Sequence, residues 1–209
     1  MFLVDITYPS GALGEDARAA IAEEVARGVL GGDAGDGPEA TMRRARSMTH
    51  VRFHPAETWT TGNGGVPADQ LPPYDVTITV PDAWRREVSS HAIGAVRTAL
   101  LAHDPPRGVG RQGGDLWINV VGVRDGSIGL DGQVSTADDV VMYMTEEQRS
   151  QVDRAELPDG VLADPICGMH VRPGPDAITL DHDGETLGFC SKGCRSAFVK
   201  HEGLQGSGT

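Results

Sequence analysis

The feature that most restricts the fold is an internal repeat. Leu3-Val4-Asp5-Ile6-Thr7-Tyr8-Pro9 lies over Asp75-Val76-Thr77-Ile78-Thr79-Val80-Pro81 at an offset of 72 residues, with valine, isoleucine, threonine and proline coinciding. Both segments alternate, are rich in β-branched residues and end at a proline that cannot extend a ladder, which is the pattern of a strand. At the same offset Ile21 falls on Ile93. In the first copy Ala17, Ile21, Val25 and Val29 recur at helical spacing before Gly31-Gly32. In the second, Asp82 is placed to cap a helix whose apolar stripe is Val88, Ala92, Ala95, Val96, Ala99 and Leu100. Each helix is followed by a second strand, Met48 to His54 and Leu116 to Val123, and the near-continuous apolar run of the latter predicts deep burial. The expected fold class is therefore α+β, a duplicated β-α-β unit giving a four-stranded sheet with two helices on one face.

Composition excludes several function classes. The 209 residues carry a formal net charge of −12, which disfavours a nucleic-acid partner because phosphate binding needs a positive field. No apolar run approaches the ~20 residues of a membrane span, so no membrane partner is expected. The start, Met1-Phe2-Leu3-Val4-Asp5, lacks the basic and apolar regions of a signal peptide, and a cytoplasmic location is expected.

The N-terminal residues with Gly11-Ala12-Leu13, and Gly114-Asp115-Leu116-Trp117-Ile118-Asn119-Val120-Val121-Gly122-Val123, resemble the tautomerase superfamily. The likeness is to its long, fused-repeat members, such as malonate semialdehyde decarboxylase and cis-3-chloroacrylic acid dehalogenase. It covers residues 1–145 and implies a homotrimer. The chemistry of that superfamily rests on a proline after the initiator methionine, acting as general base or acid. Phe2 stands there instead, leaving the Met1 amine as the candidate base.

Arg43, Arg44, Arg46 and Arg52 are candidate clamps for a small carboxylate ligand, with a solvated basic face as the alternative. His50, Arg52 and His54 alternate with Val51 and Phe53 and so share one strand face, where they could serve a metal, acid–base chemistry or a hydrogen-bonded structural role. Arg124 to Gly132 reads as a hairpin or edge loop, Ser135 or Thr136 as the cap of a short helix, and Trp59, Trp84 and Trp117 as packing anchors.

All three cysteines lie in the last 43 residues. Residues 146–161 read as a short helix and linker, and 162–209 as a separate module. There Asp183-Gly184 marks a hairpin turn between Ala177-Ile178-Thr179-Leu180 and Thr186-Leu187-Gly188-Phe189. Cys190 closes the second strand, Cys194 sits in the first turn of a helix, and Cys167 lies on a glycine turn, so three sulfurs can converge. The helix N-terminus, with Lys192 and Arg195, favours thiolates, and a core of Ile166, Ile178, Leu180, Phe189 and Phe198 is small enough for a metal staple to matter. Alternatives are one disulfide with a free thiol, or three inert thiols.

Asp164-Pro165-Ile166-Cys167-Gly168-Met169 and Phe189-Cys190-Ser191-x-x-Cys194-x-x-x-Phe198 resemble the YHS domain, a relative of the TRASH metal-binding modules, with Leu187 replacing a frequent tyrosine. Three thiolates suit Cu(I), or Zn(II) with a fourth ligand drawn from His201, His170 or Asp164. Two functions follow. One is a soft-metal protein for binding, sensing or delivery, with metal ligands Cys167, Cys190, Cys194 and His201. The other is a tautomerase-like isomerase, decarboxylase or hydratase acting on a small keto or unsaturated acid through Met1 or His50, with Arg43, Arg46 and Arg52.

Overall fold

The computed structural model describes residues 1–31, 38–67, 70–104, 111, 114–150 and 160–204. In chain order the elements begin β1 (Phe2–Pro9), α1 (Glu15–Val29), α2 (Glu39–Ser47), β2 (Thr49–Ala56), β3 (Thr60–Thr61), β4 (Gly64–Gly65), β5 (Tyr74–Pro81), α3 (Asp82–Ala102) and β6 (Leu116–Val123). They continue β7 (Ile128–Leu130), β8 (Gln133–Ser135), α4 (Ala137–Ser150), β9 (Leu162–Ala163), β10 (His170–Val171), β11 (Ile178–His182), β12 (Glu185–Phe189) and α5 (Lys192–His201). The chain divides into two compact units, Met1–Asp33 with Met48–Val123, and Ala34–Ser47 with Arg124–Thr209.

The first unit is the duplicated β-α-β sheet. Its strands run in the order β2-β1-β5-β6. The central pair β1 and β5 is antiparallel, with Leu3 opposite Thr79 and Thr7 opposite Asp75, while each outer strand is parallel to its inner neighbour. A parallel pair needs a crossover long enough for a helix, which α1 and α3 provide. Strict alternation then sorts the side chains. Phe2, Val4, Ile6 and Tyr8 of β1 and Tyr74, Val76, Ile78 and Val80 of β5 are buried against Ile21, Val25 and Val29 of α1 and Ala92, Val96, Ala99 and Leu100 of α3. The two helices approach closely at Gly28, where an added Cβ would stand 3.0 Å from that of Ala95.

Three expectations change in this unit. β6 is not deeply buried: its residues alternate, and Trp117 and Val121 are 62% and 46% exposed. The apolar run hid a sheet with one covered face, because Leu116, Ile118 and Val120 turn toward the helices while Trp117 and Val121 turn away. Trp117 is therefore no packing anchor within this chain. Asp82 is the first residue of α3 rather than its cap; Pro81 holds the cap position, and the Asp82 carboxylate binds Arg85 at 2.8 Å.

The second unit begins with α2, a helix that the sequence pattern did not indicate. α4 packs against both α2 and α5. Thr136 caps α4 reciprocally, its hydroxyl accepting from the Asp139 backbone N–H at 3.2 Å while Asp139 accepts from the Thr136 backbone N–H at 2.8 Å. The two short helices expected here are thus one, and residues 151–159 of the expected linker lie outside the described residues. Arg124 to Gly132 leads into the hairpin β7-β8, turning at Asp131 and Gly132 with φ of 48° and 79°. β11 and β12 pair as expected around Asp183 and Gly184, both at positive φ. Of the core expected around the cysteines, Ile166, Phe189 and Phe198 are buried, with the two phenylalanine rings 5.5 Å apart, while Ile178 and Leu180 are only half-buried; Ile128, Val140, Val141, Val171 and Ala197 are buried in the same unit.

Candidate metal centre

The site is built from three short pieces of chain, and in each the cysteine backbone N–H is held by a side-chain oxygen. Asp164 opens the Cys167 turn. Its Oδ1 accepts from the N–H groups of Ile166 at 2.8 Å and Cys167 at 3.2 Å. The backbone closes the same turn, the Asp164 N–H donating to the Met169 carbonyl and the Gly168 N–H to the Asp164 carbonyl. Gly168 has φ of 75°, and an added Cβ there would meet Pro38 Cγ at 2.7 Å, so both conformation and space require glycine. Asp164 Oδ2 accepts from the Cys190 N–H at 2.8 Å, tying the end of β12 to this turn. Ser191 is the N-cap of α5, and its hydroxyl accepts from the Cys194 N–H at 3.1 Å.

These bonds gather the sulfurs. Cys190 Sγ lies 3.4 Å from Cys167 Sγ and 3.7 Å from Cys194 Sγ. The three sulfurs and an Asp164 carboxylate oxygen all lie within 4.8 Å of one another. All three cysteines are free, and the separations are far beyond the ~2.05 Å of a disulfide. They match the ~3.8 Å between sulfurs that share a cation through bonds of about 2.3 Å. The residues therefore fit a soft cation.

Mutual hydrogen bonding shifts the three thiols in different directions. Hydrogen bonds from the Cys167 and Cys194 thiols lower the pKa of Cys190 to about 3, against the opposing effect of burial. Cys167 is pushed up by its bonds to the other two sulfurs and by burial. Cys194 is also raised, because its hydrogen bond with Cys190 and its burial outweigh the lowering effect of Cys167. Burial raises Asp164 too, followed by the charge on Cys190, although three backbone N–H groups oppose the shift. Cys167 and Cys194 are buried, whereas Cys190 is exposed.

The remaining candidates lie elsewhere. His201 is exposed at the end of α5 with its ring against the Glu202 carboxylate. His170 is exposed on β10. Arg43, Arg44 and Arg46 are on α2, paired with Glu147, Glu146 and Glu39 respectively. Arg52 and His54 share the Asp5 carboxylate on the face of the sheet opposite the helices, at 2.7 and 2.6 Å, with exposed His50 on the same strand face. The amine at Met1 is shielded from water, and burial lowers its pKa to about 5. Thr41 was not anticipated: buried on α2, its hydroxyl donates to the Cys167 carbonyl at 3.1 Å. No spacing in the sequence links positions 126 residues apart, so nothing there could have pointed to it.

No protein-family model matches the chain. A copper-transporting P-type ATPase of Rhizobium leguminosarum bv. viciae is 41% identical over 47 residues, which are 22% of this chain and only 6% of that protein. Among solved structures, a fused 4-OT symmetric trimer is 14% identical and matches 64% of this chain and 94% of its own, with a TM-score of 0.45. N1, a member of the cis-3-chloroacrylic acid dehalogenase family, is 14% identical over 73% of this chain and 93% of its own, with a TM-score of 0.40. A macrophage migration inhibitory factor-like protein from Entamoeba histolytica is 15% identical over 62% and 95%, with a TM-score of 0.43. At such scores the fold rests on the strand order and repeat described above. Among the described residues, no helix is long and apolar enough to cross a membrane.

Proposed function

We propose that this chain binds a soft metal ion, copper or zinc, through Cys167, Cys190 and Cys194, for storage, sensing or delivery. The observation that carries the reading is the gathering of three free thiols and a buried carboxylate within 4.8 Å. The 47-residue likeness to a copper-transporting ATPase supports it. An exposed thiolate at Cys190 suits transfer by stepwise exchange of sulfur ligands. A reducing compartment such as the cytoplasm keeps three such thiols free. By the tautomerase resemblance the sheet unit assembles as a trimer, so each assembly carries three metal modules.

Elemental analysis of protein purified under reducing conditions tests this. One soft metal per chain is expected, lost in Cys190→Ser, and a metal-free wild type overturns the proposal. The enzymatic alternative would draw on the neutral amine at Met1. Turnover of small 2-keto acids by wild type at least equal to that of Phe2→Pro would support it. The metal reading is preferred because its donors converge, whereas Arg43, Arg46 and Arg52 are each already engaged by a carboxylate.

A further inference from the structure

We propose that Asp164 is the positioning residue of the metal centre rather than a ligand, and that the ion held is a monovalent soft cation of the Cu(I) kind bound by three sulfurs alone. The proposal deepens the metal reading above and rests on it.

The Asp164 carboxylate is already committed to backbone donors. It is 1% exposed, and its two oxygens accept three backbone N–H bonds, those of Ile166, Cys167 and Cys190. Two of those donors belong to thiol-bearing residues 23 positions apart, so one side chain sets the 3.4 Å approach of Cys167 to Cys190. Ser191 does the same for Cys194. The Asp164 backbone N–H and carbonyl are also committed, to Met169 and from Gly168. Rotating the carboxylate onto a metal would strand buried N–H groups, at a cost of about 1–3 kcal/mol for each.

Without Asp164, the cluster supplies three donors, all sulfur, and among the described residues it contains no histidine. Zn(II) seeks a tetrahedral fourth ligand, whereas Cu(I) is content with soft thiolates in a three-coordinate site. The covering of Cys167 and Cys194 restricts access by water on their side of the site. A carboxylate that orders the sulfurs from behind, without touching the ion, belongs to the outer partners that orient metal ligands.

X-ray absorption of the full-length chain loaded with Cu(I), and separately with Zn(II), tests this, together with competition between the two ions. Three sulfur neighbours on copper with no oxygen or nitrogen, and displacement of Zn(II) by Cu(I), are expected. Asp164→Asn should keep the three-sulfur shell while weakening Cu(I) binding by about 10–100-fold, as loss of an outer partner does. An oxygen donor on the ion in wild type that vanishes in Asp164→Asn would overturn the proposal while leaving the metal reading intact. Preference for Zn(II) over Cu(I) would overturn it equally. The wild-type sulfur count and competition stand whether or not the variant folds. A wild type that binds neither ion would instead remove the metal reading beneath it.

Discussion

The two units solve the problem of cohesion with different atoms. In the first, a contiguous cluster of sixteen buried residues, from Phe2 to Leu100, is entirely apolar apart from two tyrosine hydroxyls. In the second, buried apolar side chains such as Ile128, Val140, Val141, Phe189 and Phe198 share the interior with polar ones, and all four buried polar residues found among the described residues, Thr41, Ser135, Thr145 and Asp164, belong to it. Burying a valine or isoleucine contributes about 1.5–3 kcal/mol wherever it is done, so a sheet with enough of them tolerates imprecise polar detail. A buried carboxylate or hydroxyl contributes only when its partners are in place, and its loss leaves them stranded. The first unit is therefore held by area, and the second depends on polar geometry as well.

Removal of metal should separate the two most strongly. An ion that binds only the folded module, present at a thousandfold over its dissociation constant, adds about 4 kcal/mol to that module's stability. Chelation should therefore increase amide exchange at Phe189 and Ala197, with little change at Val76 and Ile78. Equal loss in both units would break the contrast. Ile78→Ala is the converse probe. It opens a cavity in the apolar core of the sheet, costs about 3 kcal/mol in denaturant unfolding of the first unit, and should leave metal content unchanged.

How much of this was legible in the sequence follows the same division. The sheet could be read because its cause is periodic: alternation in β1 and β5, four-residue spacing in α1, and one repeat relating them. The hairpin at Asp183-Gly184 was equally legible, since a two-residue turn has its chemistry in adjacent residues. α2 was missed because its buried side chains are Ala40, Thr41, Met42 and Ala45, too small and polar to draw a stripe among three arginines. The exposure of β6 was misjudged because a sequence shows which residues are apolar and not whether a second layer covers them. In the site the three cysteines were visible by type. Asp164 was visible only as one of three candidates for a fourth ligand, beside His201 and His170, since its role depends on reaching the N–H of Cys190, 26 residues away.

Thr41 sharpens the contrast at lower amplitude. Thr41→Val keeps the volume and removes the hydroxyl, leaving the buried Cys167 carbonyl without that donor. A loss of about 1–2 kcal/mol in the second unit is expected, with weaker metal retention in a chelator competition. A stability loss with unchanged retention would show that the bond supports α2 but not the Cys167 turn.

The smallest effect is expected on the sheet, at its most polar point. Burial pushes the Asp5 carboxyl up, but hydrogen bonds from His54 and Arg52, with the charge of both, outweigh it, so its pKa lies below the ordinary carboxylate value. A carboxylate depressed in the folded state stabilises fully above its unfolded pKa of about 3.9, and that contribution fades as pH falls through the lower folded value. The partners are half exposed to water, so the difference between wild type and Asp5→Asn at pH 7 should be only about 0.5 kcal/mol. Thermal unfolding of both proteins from pH 7 down to pH 2 should show the two curves converging at the acid end. High salt should shrink the gap at pH 7. A penalty of several kcal/mol at neutral pH would mean that this face of the sheet also depends on exact polar pairing, and the distinction between a unit held by area and one that depends on polar geometry as well would fail where it was expected to be safest.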